Sequence, residues 1–297
     1  MKEPKKVLVT GAGGQLATVL KHCATGAAST LDLTFATSRD LDITDLPAVM
    51  GHFKKAQYDY CINCAAYTHV DKAEEDEERA LMINEKGAQN LAKGCHENGT
   101  VLIHISTDFV FDGKQGLPYV ETDRAKPLGV YGFSKFKGEQ QIVRTTDRYV
   151  IIRTSWLYSA YGHNFFKSML KYGRERDQLS VVFDQVGTPT SAHDLAEVLL
   201  KIVGADSIAH GIYHYSNEGV ASWYDFAKAI FDINGITVDL RPIRSKDYPL
   251  PAERPASSVL DKEKIKKTFN LQIPHWRESL VHVSHLLETM KAEAPQP

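Results

Sequence analysis

Cysteine is scarce in this chain: four in 297 residues, too few and too scattered for a disulfide framework. Cys61 and Cys64 have C-x-x-C spacing, but they sit inside a strand-like apolar run, and no second C-x-x-C or H-x-x-x-H accompanies them. A zinc site would lack half its ligands, so small buried thiols and no metal are expected. Also missing is any apolar run long enough to span a bilayer. The opening MKEPKKVLV passes straight into a strand-like run instead of a signal-type segment, so a cytoplasmic location without a membrane partner is expected. Neither sign of charge prevails: 35 Lys and Arg against 37 Asp and Glu leave a formal net charge of -2, with no dense basic cluster interleaved with aromatics. Nucleic acid is therefore not an expected partner. Repeats and low-complexity segments are lacking too, and the acidic run 74–78 reads as a solvated helix face.

What is present is alternation. Short apolar runs at 6–10, 34–37, 60–63, 101–106 and 149–153 read as strands, and 15–23, 73–97 and 134–143 between them read as helices. Near-continuous apolar strands alternating with helices predict an α/β fold, a doubly wound parallel sheet of Rossmann-like type covered on both faces. After about 155 the rhythm changes. Helical patterns at 165–176, 191–203 and from Trp276 onward are interspersed with extended pieces at 179–182 and 211–216, and Ser222-Trp-Tyr-Asp225 forms a capping box that opens another helix. The expected division is a dinucleotide-binding domain over 1–161 with 189–216 returning to it, a smaller mixed α/β substrate lobe from 162–188 and 217–291, and a frayed tail over 292–297. A cleft between them, beyond the carboxyl ends of the strands, is the expected site.

The first apolar run ends in Val-Thr-Gly11-Ala-Gly13-Gly14-Gln-Leu-Ala17. Glycines between a strand and a helix let the backbone approach a pyrophosphate at the helix N-terminus, and small Ala17 allows close helix–sheet packing. At the end of the second strand, where an acid would select NADH, the chain reads Ala-Thr-Ser-Arg39. Arg39 suits a ribose 2'-phosphate, so NADPH is the expected cofactor with NADH tolerated; a merely exposed arginine is the alternative.

The chemistry is carried by Tyr131 and Lys135 in Val-Tyr-Gly-Phe-Ser-Lys. One helical turn apart they share a face, so the ammonium is expected near the phenol, lowering its pKa and making it a proton donor to a carbonyl. Thr107 ends the strand Ile105-Ser106-Thr107, and its hydroxyl can donate to the same carbonyl. A glycine-rich turn followed by this set predicts carbonyl reduction by hydride transfer.

These motifs, with Asn-Cys-Ala-Ala-Tyr-Thr-His-Val-Asp-Lys-Ala-Glu, Ser-Thr-Asp-Phe-Val-Phe-Asp-Gly, Arg-Thr-Ser-Trp-Leu-Tyr, Phe-Asp-Gln-Val-Gly-Thr-Pro-Thr and Arg-Pro-Ala-Ser-Ser-Val-Leu-Asp, run nearly end to end. Through them the chain resembles the extended short-chain dehydrogenase/reductases, and among these the enzymes that reduce the 4-keto group of dTDP-4-dehydro-L-rhamnose to give dTDP-L-rhamnose. The resemblance implies that Gly14, Gln15 and Leu16 touch the pyrophosphate and Asp42 and Ile43 the adenine side. It places Ala65, Ala66 and Tyr67 on the dinucleotide and Lys135 on the nicotinamide ribose. Thr68, Val70, Thr107, Asp108, Phe111, Tyr131 and Trp156 would surround the nucleotide sugar. Ala17 departs from the glycine usual in the family turn. Trp156 offers the substrate an apolar wall or packs in a core, and Arg254 clamps the diphosphate or bridges the lobes. Some members of the family carry magnesium at a subunit contact; the first helix has no carboxylate to place one, and a homodimer stays open.

Two alternatives differ in class. An epimerase or dehydratase acting on another nucleotide sugar is the nearer, but a dehydratase favours an acid pair after the threonine and this chain has a single acid, Asp108, followed by Phe109. A non-catalytic regulatory subunit, as in the related beta subunit of methionine adenosyltransferase, is opposed by the intact Thr107, Tyr131 and Lys135.

Overall fold

A computed structural model describes residues 3–24 and 30–293. Its centre is a six-stranded, all-parallel sheet in the order β10-β5-β4-β3-β1-β2, built from β1 (Lys5–Thr10), β2 (Leu31–Ala36), β3 (Tyr60–Asn63), β4 (Val101–Thr107), β5 (Tyr149–Thr154) and β10 (Gly211–His214). The inner strands are buried on both faces, which is why they read as unbroken apolar runs. One face packs α1 (Gln15–Cys23) and α8 (Ala192–Gly204) over Val7, Val9, Ile62, Ile103 and Ile152. The other packs α2 (Leu46–Lys55) and α5 (Ala88–Asn98) over Leu8, Cys61, Leu102 and Ile151, with α6 (Val130–Thr145) lying beside α5. The strand order reverses beside β1, and ligands in such sheets lie at that switch.

The long helix expected over 73–97 is broken. A short α3 (Val70–Ala73) leads to α4 (Glu77–Leu81), a π-helical turn over Met82–Gly87, and then α5. The widened turn brings Asn84 under the backbone of Tyr67: its Oδ1 accepts from Tyr67 N at 2.9 Å, and its Nδ2 donates to Tyr67 O at 3.1 Å and to Ser134 Oγ at 3.0 Å. Single π turns of this kind recur at functional sites. The acidic run is also more than a solvated face, because Glu74 Oε1 accepts from Val130 N at 2.9 Å and so caps α6, where a carboxylate complements the helix dipole. Two helices escape the periodicity reading: α2, capped by Asp45, and α10 (Glu263–Phe269).

A second core gathers beyond the sheet. It is formed by α7 (Phe165–Glu175), α9 (Trp223–Ile233) and α11 (Trp276–Glu293), with β7 (Gln178–Val182) paired in parallel to β12 (Asp239–Ile243). Short pairings of β6 (Leu157–Tyr158) with β9 (Thr190–Ser191) and of β8 (Val186–Gly187) with β11 (Ala221–Ser222) stitch the crossings. The capping box at Ser222 and Asp225 forms as the sequence predicts. Within 217–291, α10 packs onto the sheet instead of this second core: Ile265 and Leu271 are buried against Tyr213, because the apolar stripe Ile265-Phe269-Ile273 meets β10. The tail residues 294–297 lie outside the described residues, and Ala292 and Glu293 continue α11.

Helix α6 sits unusually close to its neighbours. A Cβ on Gly138 would lie 2.2 Å from Asn84 O, and one on Gly132 would lie 2.2 Å from Phe109 O. Neither obstacle is a flexible side chain. Gly138→Ala is therefore expected to cost about 1–3 kcal/mol, the usual range for overpacking. Urea denaturation reads this directly, and an unchanged midpoint would show that α6 can slide away from the π turn.

Candidate active site

A cleft of about 1670 Å³ opens beyond the carboxyl ends of β1, β3, β4 and β5. At its floor the chain turns through Gly11, with φ +70°, where a Cβ would lie 2.6 Å from Ala65 N. No other residue type fits there. Gly13 meets nothing within 4 Å, so its missing side chain leaves open cleft. The following helix α1 begins at Gln15 with no side-chain cap. Its first amides are left as free donors at the positive end of the dipole, which suits a phosphate. Gly11, Gly13, Gly14, Gln15 and Leu16 all line the cleft. The Gln15 side chain is itself tied to the far wall: it donates to Leu157 O at 3.1 Å and accepts from Ser159 Oγ and Asn164 Nδ2, each at 3.2 Å.

Further along the rim lie Asp42, Ile43, Ala65 and Ala66, and the Asp42 carboxylate folds back onto Thr44 N and Oγ1 at 2.9 and 2.7 Å. Arg39 is exposed and does not line the cleft; Thr37 and Ser38 do. Its turn is pinned by Asp40 Oδ2, which accepts from Thr37 N at 2.9 Å and Thr37 Oγ1 at 2.7 Å. Tyr67 also stays off the cleft wall. It is 6% exposed among Ala73 and Ala80, because Asn84 pins its backbone and turns the ring inward.

Thr107, Asp108, Tyr131 and Lys135 share one wall with Thr68 and Val70. Thr107 and Asp108 come from the end of β4; Tyr131 and Lys135 come from the first turns of α6. Burial governs their proton affinities. It pushes the Tyr131 phenol up to about 12, against the pull of the Thr107 hydroxyl, and Asp108 adds to the rise. The expected lowering of the phenol by Lys135 does not outweigh this burial: the Lys135 side chain is turned toward β4, donating to Ile105 O at 2.6 Å and lying 3.2 Å from His104 Nε2. Its own pKa falls to about 8, chiefly by burial, with Glu139 and Cys64 acting the other way. Asp108 rises to about 6 from the same cause. Its Oδ2 has no hydrogen-bond partner among the described residues, nor does Thr154 Oγ1 on the same cleft. Buried polar atoms left open in this way are where a bound ligand makes its hydrogen bonds.

Phe111 is a further correction. It is fully buried, stacked on Tyr119 at 4.1 Å with the Arg153 guanidinium 5.2 Å from its ring, and takes no part in the cleft wall. The ring that does face the cleft is Phe109, two residues earlier, edge-on to Tyr131 at 5.6 Å. A helical turn over Asp108–Val110 after β4 ends the strand's period of two, which would have put Phe109 and Phe111 on one face.

The cleft runs on into an apolar recess of about 250 Å³ between Trp156, Phe165, Trp223, Tyr248, Leu250 and Arg254. Trp156 has φ +46°, a left-handed conformation that costs roughly 1–2 kcal/mol for a bulky residue. It is held there by a parallel stack on Trp223, with centroids 3.5 Å apart, and by Gly187, where a Cβ would come 2.8 Å from Cε2 of its indole. Trp223 lies far along the chain, and no local signal marks it as Trp156's partner. Arg254 bridges to Asp71 on α3, Nη2 to Oδ2 at 2.6 Å, while Nη1 donates to Ala252 O at 2.6 Å. The contact joins the loop before Pro255 to α3 and leaves Arg254 on the cleft wall. All four cysteines are free thiols, and no three His, Cys, Asp or Glu side chains converge on a metal site among the described residues.

A parallel sheet of this order, with a glycine turn after its first strand and a Thr, Tyr and Lys set at the ends of β4 and α6, defines a dinucleotide-dependent reductase of the short-chain class. Within it, the chain belongs to the family described as the RmlD substrate binding domain, whose model matches residues 5–289. It is 40% identical over 291 residues to the dTDP-4-dehydrorhamnose reductase of Aggregatibacter actinomycetemcomitans, covering 94% of this chain and 98% of that one. It superposes with TM-score 0.92 on the crystal structure of dTDP-4-dehydrorhamnose reductase from Bacillus anthracis in complex with NADP, at 36% identity over 96% of this chain and all of that one. A Clostridium acetobutylicum ortholog of the same reductase gives TM-score 0.91 at 40% identity, over 95% and 99% of the two chains. Among the described residues no helix is long and apolar enough to cross a membrane.

The raised Asp108 carries a pH signature. A carboxyl whose folded pKa lies near 6 contributes stability in its neutral form below its unfolded value near 4, and loses it as pH rises through 6. Asp108→Asn does not titrate, so it is expected to gain on the wild type between pH 4 and 7 by on the order of 2–3 kcal/mol. Urea unfolding of both proteins at the two ends of that window measures the difference. A gap that stays constant with pH would mean that Asp108 finds compensation for its charge.

Proposed function

We propose that this chain reduces the 4-keto group of dTDP-4-dehydro-L-rhamnose to dTDP-L-rhamnose, the last step in making that activated sugar, with NADPH as reductant and NADH tolerated. The observation that carries this reading is the single cleft in which the uncapped start of α1 and the Thr107, Tyr131 and Lys135 wall face one space. The match to dTDP-4-dehydrorhamnose reductases along nearly the whole chain supports the substrate assignment.

When bound along the glycine turn, NADPH supplies the hydride that reaches the ketone carbon. The chain's own residues do the rest. The amides at the start of α1 receive the pyrophosphate, with Gly13 leaving room for it. Ala65 and Ala66 flank the dinucleotide, and Asp42 and Ile43 its adenine side. Arg39, exposed at the rim with no ion pair among the described residues, is free to meet a 2'-phosphate. Tyr131 Oη gives its proton to the ketone oxygen as the carbonyl is reduced, and Thr107 Oγ1 donates to the same oxygen. Lys135 lies below, where it can hold a ribose hydroxyl and compensate the phenolate. Asp108 Oδ2, lacking a partner, receives a sugar hydroxyl. Thr68, Val70 and Phe109 border the hexose and Trp156 walls the recess. Arg254 exchanges Asp71 for the diphosphate as the nucleotide sugar settles. A cytoplasmic location and a homodimer complete the proposal.

Mixing the protein with dTDP-4-dehydro-L-rhamnose and either cofactor, and following reduced nicotinamide by absorbance, tests the reading. No consumption of either cofactor above the substrate-free rate would refute it. Two substitutions resolve the roles. Tyr131→Phe should lower turnover by roughly two orders of magnitude or more, the range of general acid catalysis, with cofactor affinity intact; near-native turnover would remove Tyr131 from the proton path. Arg254→Ala should weaken dTDP binding by roughly tenfold and change saturated turnover less, as loss of a charge-assisted hydrogen bond does. Calorimetric titration with dTDP checks it, and unchanged affinity would confine Arg254 to its bridge with Asp71.

A further inference from the structure

Behind Lys135 lies a buried polar chain that the reaction outlined above does not use. Thr10 Oγ1 donates to Asn63 Oδ1 at 2.7 Å, and Asn63 Nδ2 is 2.9 Å from His104 Nδ1, whose Nε2 is 3.2 Å from Lys135 Nζ. Asn63 and His104 are each 1% exposed and are paired across the sheet, Asn63 at the carboxyl end of β3 and His104 in the middle of β4. The orientation of the Asn63 amide is not free. Ala65 N, a donor only, bonds to Oδ1 at 3.0 Å, so the other end of the amide, facing the imidazole, is the NH₂. His104 Nδ1 must then accept, and a neutral imidazole that accepts at Nδ1 carries its proton on Nε2. That N–H faces an amine, and an ammonium has no lone pair with which to accept it.

We infer that Asn63 and His104 are positioning residues for Lys135: Asn63 locks the imidazole as its Nε2–H tautomer, and that N–H favours the neutral amine over the ammonium. In the neutral form each of these atoms is satisfied, since Lys135 accepts from His104, donates one N–H to Ile105 O and keeps another for the cleft. A lysine so placed exchanges its proton near neutrality instead of holding it throughout the physiological range. The inference rests on the reductase reading for its use: the ammonium compensates the phenolate and gives it a proton, and the neutral amine left behind is the form that Asn63 and His104 favour. The other groups facing the amine do not reverse the argument. Glu139, one turn along α6, is taken up by Arg153 at 2.7 and 2.9 Å and by Ser106 at 2.5 Å, and the Cys64 thiol is pushed up to about 12 by burial and stays uncharged. Burial, the larger cause, holds His104 well below the usual imidazole range, so it does not become a cation.

The test needs no turnover, so it is independent of whether the substrate is correctly assigned. In protein carrying ¹³Cε-lysine and ¹⁵N-histidine, the Lys135 signal is identified by its loss in Lys135→Met. Lys135 should titrate at least roughly one pH unit below the surface lysines, with His104 neutral and protonated on Nε2. Asn63→Asp, nearly isosteric, should accept from Nδ1–H, turn the tautomer over, and raise the Lys135 midpoint by roughly one unit or more. Lys135 titrating with the surface lysines, or His104 protonated on Nδ1 in the unmodified protein, would overturn the inference, as would an unmoved midpoint in a folded Asn63→Asp. Should that variant not fold, the tautomer and midpoint of the unmodified protein decide alone. The reductase assay then reports separately on the substrate.

Discussion

The site depends on one buried ion pair. Arg153 on β5 and Glu139 on α6, 3% and 2% exposed, meet through Nη2–Oε2 and Nε–Oε1 bonds of 2.7 and 2.9 Å, and Ser106 of β4 donates to the same carboxylate. Three elements are thereby fixed against one another: the strand that ends in Thr107, its neighbour in the sheet, and the helix that carries Tyr131 and Lys135. Removing either charge alone would leave the other uncompensated, at a cost of about 3–5 kcal/mol. The pair therefore says more about where α6 can sit than about total stability. Gly132 and Gly138 let the helix come down onto Phe109 and the π turn, and the ion pair sets its height along the sheet.

Close seating has an electrostatic consequence. The phenol, the amine and the carboxyl beside them are all drawn toward their neutral forms by the same loss of water: Tyr131 and Asp108 upward, Lys135 downward. Before any ligand binds, the charged forms on this wall are held less firmly than they would be in water. A cofactor and substrate bring charge and hydrogen-bonding groups into this low-dielectric space, where each interaction counts for more than it would in water. Asp108 Oδ2 and Thr154 Oγ1 stand ready to receive them.

Much of this was legible in the chain. The apolar runs give five of the six sheet strands, the glycine turn gives its own position, and Tyr131 and Lys135 one turn apart predict a shared helix. Legibility fails where a long-range contact overrides a local pattern. The helix expected over 73–97 breaks because Asn84 must reach the Tyr67 backbone, and nothing in the local sequence announces that partner. Phe109 faces the cleft and Phe111 does not because a short helical turn after β4 ends the strand's period of two. That Tyr131 and Lys135 share a helix does follow from spacing, but the direction of the phenol's shift is set by burial, and the Lys135 side chain is drawn to Ile105 O of β4. Trp223 and Asn63 show a third limit: the residue type is visible, but its partner lies on another element.

The cleft is also a seam between two cores, and its two sides are joined in different ways. At the dinucleotide end the join is fixed: Gln15 on α1 is bonded to Leu157, Ser159 and Asn164, and the backbone crossing at Trp156 and Thr190 is closed by a hydrogen bond of 3.2 Å. At the other end the contact made by a side chain is charged, Arg254 to Asp71, with Asp71 partly exposed and also accepting from Ala252 N at 3.3 Å. A half-exposed ion pair is worth about 1 kcal/mol or less, well below what a diphosphate offers a guanidinium. The seam is thus firm where the cofactor's position must be reproducible and weak where a nucleotide sugar has to enter, and Trp156, strained and stacked on Trp223, stands where the two regimes meet.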